Sequence, residues 1–426
     1  MTIKEKAAAM KLDSTRMASQ SAKTRNQALA AIAKVLLANQ NEIFRANEQD
    51  LAEAEKNNIP EAVVKRLKFS PQKLTDVIRG IEDLIQLADK VYETQFVREL
   101  DEGLTLVRER CPIGVIGVIF EARPDALVQI ASLCIKSGNC AILKGGSETK
   151  HTNKVLFKFI YQAAIESGLP ENCLFQAEQR DEIAELLACH ESVDLLIPRG
   201  SNAFVQYIMD NTKIPVMGHA DGICHIYVDK DFDIEKAIPV IIDAKTQYTA
   251  ACNAVETLLV HKDAVDALMP RLNKAFHAHN IELRATADIA EQYDGKQAAD
   301  ADFATEYLDL IISAKTVSNI DEAILHINQY GSHHTDCIIT ENQEAAEYFM
   351  RMVDSAGVYQ NCSTRFSDGF RYGFGAEVGI STGKIHARGP VGLEGLLTYK
   401  YKLYGNGQIV ADYASGKKEF HFKDLS

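Results

Sequence analysis

A chain of 426 residues is long enough for one large α/β unit or for two to three domains, and its net charge of −13 (46 basic against 59 acidic side chains) argues against a nucleic-acid partner. Its apolar fraction of 46% and charged fraction of 25% are those of a soluble globular protein; no run of about eighteen apolar residues offers a membrane span, and the opening MTIKEKAAAMKLDSTRMASQ has no signal-peptide core. The nine cysteines are scattered and never spaced C-x-x-C, which disfavours a disulfide framework or a metal site and favours a reducing cytoplasm. All but one are expected to be small buried apolar residues.

Residues 1–90 read as helical. In 70-SPQKLTDVIRGIEDLIQLAD-89, Ser70 can cap, Pro71 fits the first turn, and Leu74, Val77, Ile78, Ile81 and Ile85 share a face. Next, 95-QFVRELDEGLTLVRERCP-112 alternates on both sides of Asp101-Glu102-Gly103, which predicts a β-hairpin. From 112 onward short apolar strands alternate with helices: VIGVIF at 115–120, CAILKGG at 140–146 and VDLLIP at 193–198. That pattern predicts right-handed crossovers and a mostly parallel sheet. A second α/β segment runs from about 229 to 395. The tail 398-TYKYKLYGNGQIVADY-413 predicts two strands about Asn406-Gly407. The two hairpins, lacking a core of their own, read as oligomerisation arms.

No G-x-G-x-x-G is present. Two turns at strand ends are the candidates for holding a phosphate or ribose: Lys144, Gly145 and Gly146 before Ser147, and Arg199, Gly200 and Ser201 before the following helix. Ligands bind at the carboxyl ends of parallel strands, so two such turns in one sheet strengthen each other.

The candidate nucleophile is in 247-QYTAACNAVETLLV-260. Cys252 stands at the mouth of an apolar strand, where it can reach a cleft, whereas Cys134 and Cys140 lie inside apolar runs. Thr249 and Asn253 are its polar neighbours, and nothing local supplies the base or the electropositive setting a thiolate needs. A third cluster, 357–396, is glycine-rich and carries Asn361, Ser363, Thr364, Arg365, Glu377, Lys384, His386 and Arg388, a composition suited to a small charged ligand.

The segments 112-PIGVIGVIFEARPD-125, 142-ILKGGSE-148, 218-GHADGICHIYVD-229, 251-ACNAVETLLVH-261, 305-TEYLDLIISAK-315, 324-ILHINQYGSHHTD-336 and 373-GFGAEVGISTGKIHARGPVGLE-394 resemble the glutamate-5-semialdehyde dehydrogenase (γ-glutamyl phosphate reductase) family of the aldehyde dehydrogenase superfamily. The resemblance implies an aldehyde dehydrogenase-like α/β fold. Its parts would be a Rossmann-type NADP-binding domain over 1–228, interrupted by a hairpin arm at 92–110, a catalytic domain over 229–395, and an oligomerisation tail over 396–426. It implies roles for Cys252 as nucleophile, Lys144 at the adenine-side ribose with Gly145 beside it, Ser147 at a 2′-phosphate, Gly200 and Ser201 beneath the pyrophosphate, and Glu306 on the nicotinamide ribose. Where oxidising relatives keep a general-base glutamate this chain has Gly218-His219, and where they keep an oxyanion asparagine it has Ala122, flanked by Glu121 and Arg123.

The implied reaction is NADPH-dependent reduction of L-glutamyl 5-phosphate to L-glutamate 5-semialdehyde through a Cys252 thioester, the second step of proline biosynthesis. The alternative is a non-phosphorylating aldehyde dehydrogenase that oxidises a semialdehyde. Arg123 and Arg365 are the candidates for the phosphate and the α-carboxylate, because guanidinium pairs such groups bidentately. Glu377 is the candidate for the α-ammonium, with Asn253 and Ser363 beside the substrate and His219 for a proton. A homodimer or homotetramer is implied, with a glutamate 5-kinase as the possible source of substrate.

Overall fold

A computed structural model describes residues 2–179, 182–218 and 221–425. The chain opens with helices Ile3–Ala18, Ala22–Ala38, Gln40–Lys56, Glu61–Leu67 and Pro71–Gln86. The last begins as expected: Ser70 Oγ accepts the Lys73 N–H at 3.3 Å and Pro71 sits in the first turn. Its face of Leu74, Val77, Ile81 and Leu84 is buried in the core of the first sheet.

Strands β1 (Thr94–Asp101) and β2 (Leu104–Pro112) form the predicted antiparallel hairpin. Then β3 (Val115–Phe120), β4 (Cys140–Gly145), β5 (Leu174–Ala177) and β6 (Leu195–Arg199) make a parallel sheet in the order β5-β4-β3-β6. All six residues of β3 are buried, because helices cover both faces of a central parallel strand. The chain steps from β3 to β4 to β5 on one side, then crosses back from β5 to β6 on the other side of β3. The carboxyl ends of β3 and β6 therefore flank a topological switch point, where such sheets open a crevice.

The second sheet is also parallel. It contains β7 (Cys224–Val228), β8 (Val255–His261), β9 (Glu282–Ala285), β10 (Lys296–Gln297), β11 (Ile311–Val317), β12 (Thr335–Ile339) and β13 (Gly357–Gln360), ordered β10-β9-β11-β8-β7-β12-β13. The division expected at 228/229 falls one strand late, since β7 pairs with β8 and β12. An apolar run does not disclose which sheet it joins. The short pair β14 (Gly379–Ser381) and β15 (Gly389–Val391) follows, and Ala376, Val378, Val391 and Leu396 return to the first core although they lie beyond the second sheet in sequence.

The tail corrects the reading of a second hairpin. Strand β16 (Leu397–Tyr404) pairs antiparallel with β2, from Leu397 opposite Pro112 to Tyr404 opposite Thr105. After Asn406-Gly407 the chain forms a helix at Val410–Ala414, and β17 (Lys423–Asp424) then joins β1. The arm is thus one sheet, β16-β2-β1-β17, with Tyr399, Tyr401, Leu403 and Phe422 exposed. Among the described residues no helix is long and apolar enough to cross a membrane.

Candidate active site

Cys252 lies on the turn between helix Ile234–Thr246 and β8, and it is partly exposed. The turn is held from three sides. Gly222 stacks so closely on the Cys252 backbone that a Cβ there would overlap it. Asn253 Nδ2 donates to the Ser367 carbonyl at 2.8 Å, and Thr364 Oγ1 donates to the Asn253 carbonyl at 2.7 Å. Below it, Lys245 and Glu256 form a fully buried ion pair of 2.6 Å that ties the end of the preceding helix to the start of β8.

The partner absent from the local sequence comes from 82 positions away. His334 Nε2 is 3.2 Å from Cys252 Sγ, and His334 Nδ1 is 2.9 Å from Thr335 Oγ1. The ring is fully buried at the entrance of β12, next to β7. A cysteine–histidine contact of this length lets a base share the thiol proton. The doublet His333-His334 in the 324–336 segment was the available signal, but spacing cannot connect it to Cys252. Burial pushes the Cys134 and Cys173 thiols up to about 12, which leaves them inert. Six of the nine cysteines are buried; Cys111 and Cys362 are partly exposed, contrary to expectation, because they lie in the arm and in the loop after β13.

The other predicted residues divide into groups. Asn253 and Ser363 were expected beside the substrate. Both are buried: Asn253 Nδ2 donates to the Ser367 carbonyl while its Oδ1 has no hydrogen-bond partner among the described residues, and Ser363 Oγ accepts the Arg365 N–H at 3.3 Å. Arg365 Nε donates to Gln247 Oε1 at 2.9 Å, and burial lowers its pKa while the Cys252 sulfur acts against that shift. Arg123 is exposed at the start of helix Pro124–Ser137. Glu377 accepts the Gly369 N–H at 2.9 Å. Gly218 lies against Pro198; His219 is outside the described residues.

On the first sheet, Lys144 ends β4 almost completely buried, its Nζ donating to the Gly145 carbonyl at 2.7 Å. Burial lowers its pKa, and Glu182 and Glu148 pull it back up. Ser147 beside it is exposed. Across the switch point, Ser201 N–H donates to Glu121 Oε2 at 3.0 Å, and Gly200 leaves space for that carboxylate. Burial raises the Glu121 pKa. The Ser201 amide at the start of helix Asn202–Asp210 thus already holds a carboxyl oxygen, as a phosphate seat would. Asn202 Nδ2 donates to Glu306 Oε2 at 2.6 Å, joining this helix to the loop before β11. A buried lysine, helix-terminal amides and a carboxylate in one crevice fit the phosphates and riboses of a nicotinamide dinucleotide.

Residues 2–300 match the sequence pattern described as "Aldehyde dehydrogenase family". A protein of Acetivibrio thermocellus named gamma-glutamyl phosphate reductase is 54% identical over 426 residues, which is 100% of this chain and 99% of that one. A crystal structure of gamma-glutamyl phosphate reductase from Thermotoga maritima has a TM-score of 0.93 at 39% identity, covering 95% of this chain and 99% of its own. An engineered glycolyl-CoA reductase solved with bound NADP+ has a TM-score of 0.64 at 16% identity and covers 94% of this chain and 96% of its own, so it shares the fold.

Proposed function

We propose a reaction from one premise, that the chain belongs to the aldehyde dehydrogenase family and, within it, to the gamma-glutamyl phosphate reductases. The enzyme is an oxidoreductase that reduces L-glutamyl 5-phosphate to L-glutamate 5-semialdehyde, the second step of proline biosynthesis. The observation that carries the mechanism is Cys252 Sγ with His334 Nε2 at 3.2 Å.

With Nδ1 protonated toward Thr335 Oγ1, Nε2 takes the Cys252 proton and the thiolate attacks the γ-carbonyl carbon. The carbon–oxygen bond to phosphate breaks, and the proton from His334 leaves on hydrogen phosphate, so atoms and charge balance. Arg123 and Arg365 bind the phosphate and the α-carboxylate, and Glu377 faces the α-ammonium. The Cys252 N–H contributes to oxyanion stabilisation. NADPH would be held by Lys144, Gly145 and Ser147 on the adenosine side, by Gly200 and Ser201 at the pyrophosphate and by Glu306 at the nicotinamide ribose, and would there supply a hydride to the thioester carbon. Cys252 then leaves the aldehyde carbon as thiolate and is reprotonated. Gly218 stands where oxidising relatives place a water-activating carboxylate, so the thioester survives long enough to be reduced.

The arm sheet, with Tyr399, Tyr401 and Leu403 exposed, joins copies into a homodimer or homotetramer. The enzyme works in the cytoplasm, supplied by a glutamate 5-kinase.

The test is the reverse reaction. Reduction of NADP+ by semialdehyde requires phosphate or arsenate; phosphate-independent turnover means a non-phosphorylating dehydrogenase instead. His334→Gln lowers kcat by about 10²-fold and changes the shape of the pH–rate profile. A pH–rate profile unchanged from the native enzyme contradicts the role of His334.

A further inference from the structure

Glu121 follows β3 directly and faces the turn that ends β6. Its backbone is fixed on both sides. Its own N–H donates to the Arg199 carbonyl at 3.0 Å, and the next N–H, of Ala122, donates to Glu148 Oε1 at 2.6 Å. Ala122 takes a left-handed φ of 48° there, a conformation that a residue with a Cβ keeps only where its surroundings hold it. The carboxylate that this backbone presents lies against Gly200, so closely that a Cβ at Gly200 would stand 2.5 Å from Glu121 Oε2. The same Oε2 accepts the Ser201 N–H at 3.0 Å.

Two features of that contact set it apart from a structural brace. Among the described residues no lysine or arginine pairs with Glu121, so the carboxylate is held by the Ser201 amide alone. Its charged neighbour is a second carboxylate, Glu148, which lies against Gly146 in the turn after β4. Both turns marked by the sequence as seats for a phosphate or ribose therefore carry a carboxylate against their glycine. An anionic oxygen on bare glycine backbone, at an amide that opens a helix, has the position a dinucleotide's pyrophosphate takes. One N–H has one hydrogen to donate, and carboxylate and phosphate oxygens in contact repel each other. The two anions exclude each other from the Ser201 amide.

We infer that Glu121 competes with the cofactor's pyrophosphate for the Ser201 amide, filling that seat in the ligand-free enzyme and rotating away when the dinucleotide takes its place. This rests on the reading of Gly200-Ser201 as the pyrophosphate seat. The backbone ties to Arg199 and Glu148 make the exchange a side-chain rotation that needs no movement of the loop. The seat is open for only a fraction of the time, and cofactor affinity is lowered by that fraction. Glu121 thus keeps the dinucleotide exchangeable between turnovers.

The experiment measures NADPH binding to native enzyme, Glu121→Gln and Glu121→Ala by fluorescence titration and stopped flow. The Kd for NADPH falls by about 10-fold in both variants, and the gain appears in the association rate, because the seat is already open. Adenosine 2′-phosphate, which has no pyrophosphate, is the control; its Kd, read by displacement of NADPH, stays within about twofold. An unchanged or weaker NADPH affinity overturns the inference. So does a gain carried wholly by slower dissociation, which would mean a new contact in place of an opened seat. An equal gain for adenosine 2′-phosphate also overturns it, since the cause would be lost negative charge at large. If the alanine variant does not fold, the glutamine variant, matched in size, decides by the same constants. Failure of the native enzyme to bind NADPH is a distinct result, since it removes the cofactor reading itself.

Discussion

Cys252→Ala abolishes turnover in both directions, by at least about 10⁴-fold, while leaving NADPH binding intact. The substitution removes one sulfur atom from a turn whose backbone is held independently, by Gly222 against Cys252 and by the Asn253 and Thr364 hydrogen bonds. Ala250 and Ala251 already occupy that turn, so a third alanine fits. Cysteines such as Cys134 and Cys224 cannot substitute, because burial raises their thiols far above the physiological range. Cys252→Ser fails as well, since a hydroxyl is a far weaker nucleophile than a thiolate and serine esters of glutamate are poor hydride acceptors. NADPH oxidation measures the loss, and a fluorescence titration with NADPH checks that the crevice persists. Residual activity within about tenfold of native would mean that the reaction does not pass through Cys252.

Glu256→Ala destabilises the fold by about 3–5 kcal/mol, the largest stability effect expected from a single substitution at the site. Glu256 and Lys245 are both fully buried with 2.6 Å between them, and Lys245 Nζ also donates to the Val255 carbonyl at 3.0 Å. Burial pushes the Glu256 carboxyl up to about 7 against the pull of Lys245, and it lowers the Lys245 ammonium against the pull of Glu256. Removing the carboxylate leaves a buried ammonium with only a carbonyl to bond. Replacing both residues by apolar ones of similar size, Lys245→Met with Glu256→Leu, restores most of the loss, because the desolvation penalty disappears with the charges. Urea unfolding followed by circular dichroism distinguishes the two variants. An equal loss in the single and double variants would mean that packing rather than charge is what the pair supplies. Because the pair brackets the cysteine turn, the single variant also loses kcat where it remains folded.

What could be read from the sequence was what local chemistry controls. Ser70-Pro71 and the spacing Leu74, Val77, Ile81 define the fifth helix without help from the rest of the chain, and the alternation about Glu102-Gly103 defines the first hairpin. What could not be read was which distant segment a local pattern meets. The alternation of 397–404 is the same whether its partner is the residues after Asn406-Gly407 or β2; the free edge of β2 decided it, and Gln408, expected in a strand, instead donates from Nε2 to the Glu102 carbonyl at 3.0 Å. The apolar run 224–228 joins the second sheet for a similar reason. At the site, the strand mouth marks Cys252 in the sequence, but its histidine partner is not local, because fold topology brings His334 to it from the start of another strand. Asn253 is polar and adjacent to Cys252, but no local pattern shows that its Nδ2 meets Ser367, more than a hundred residues away in the sequence, while its Oδ1 stays without a partner among the described residues.

The proposed reaction depends on an acyl-enzyme that is protected from water and open to phosphate. The most direct test is the lifetime of the thioester on Cys252, formed from isotopically labelled semialdehyde and NADP+ without phosphate, with excess NADP+ removed, and followed by mass spectrometry of the peptide containing 247–260. The expected result is a label on Cys252 that persists in buffer and is released promptly when phosphate is added. A label that hydrolyses at the same rate with and without phosphate would contradict it.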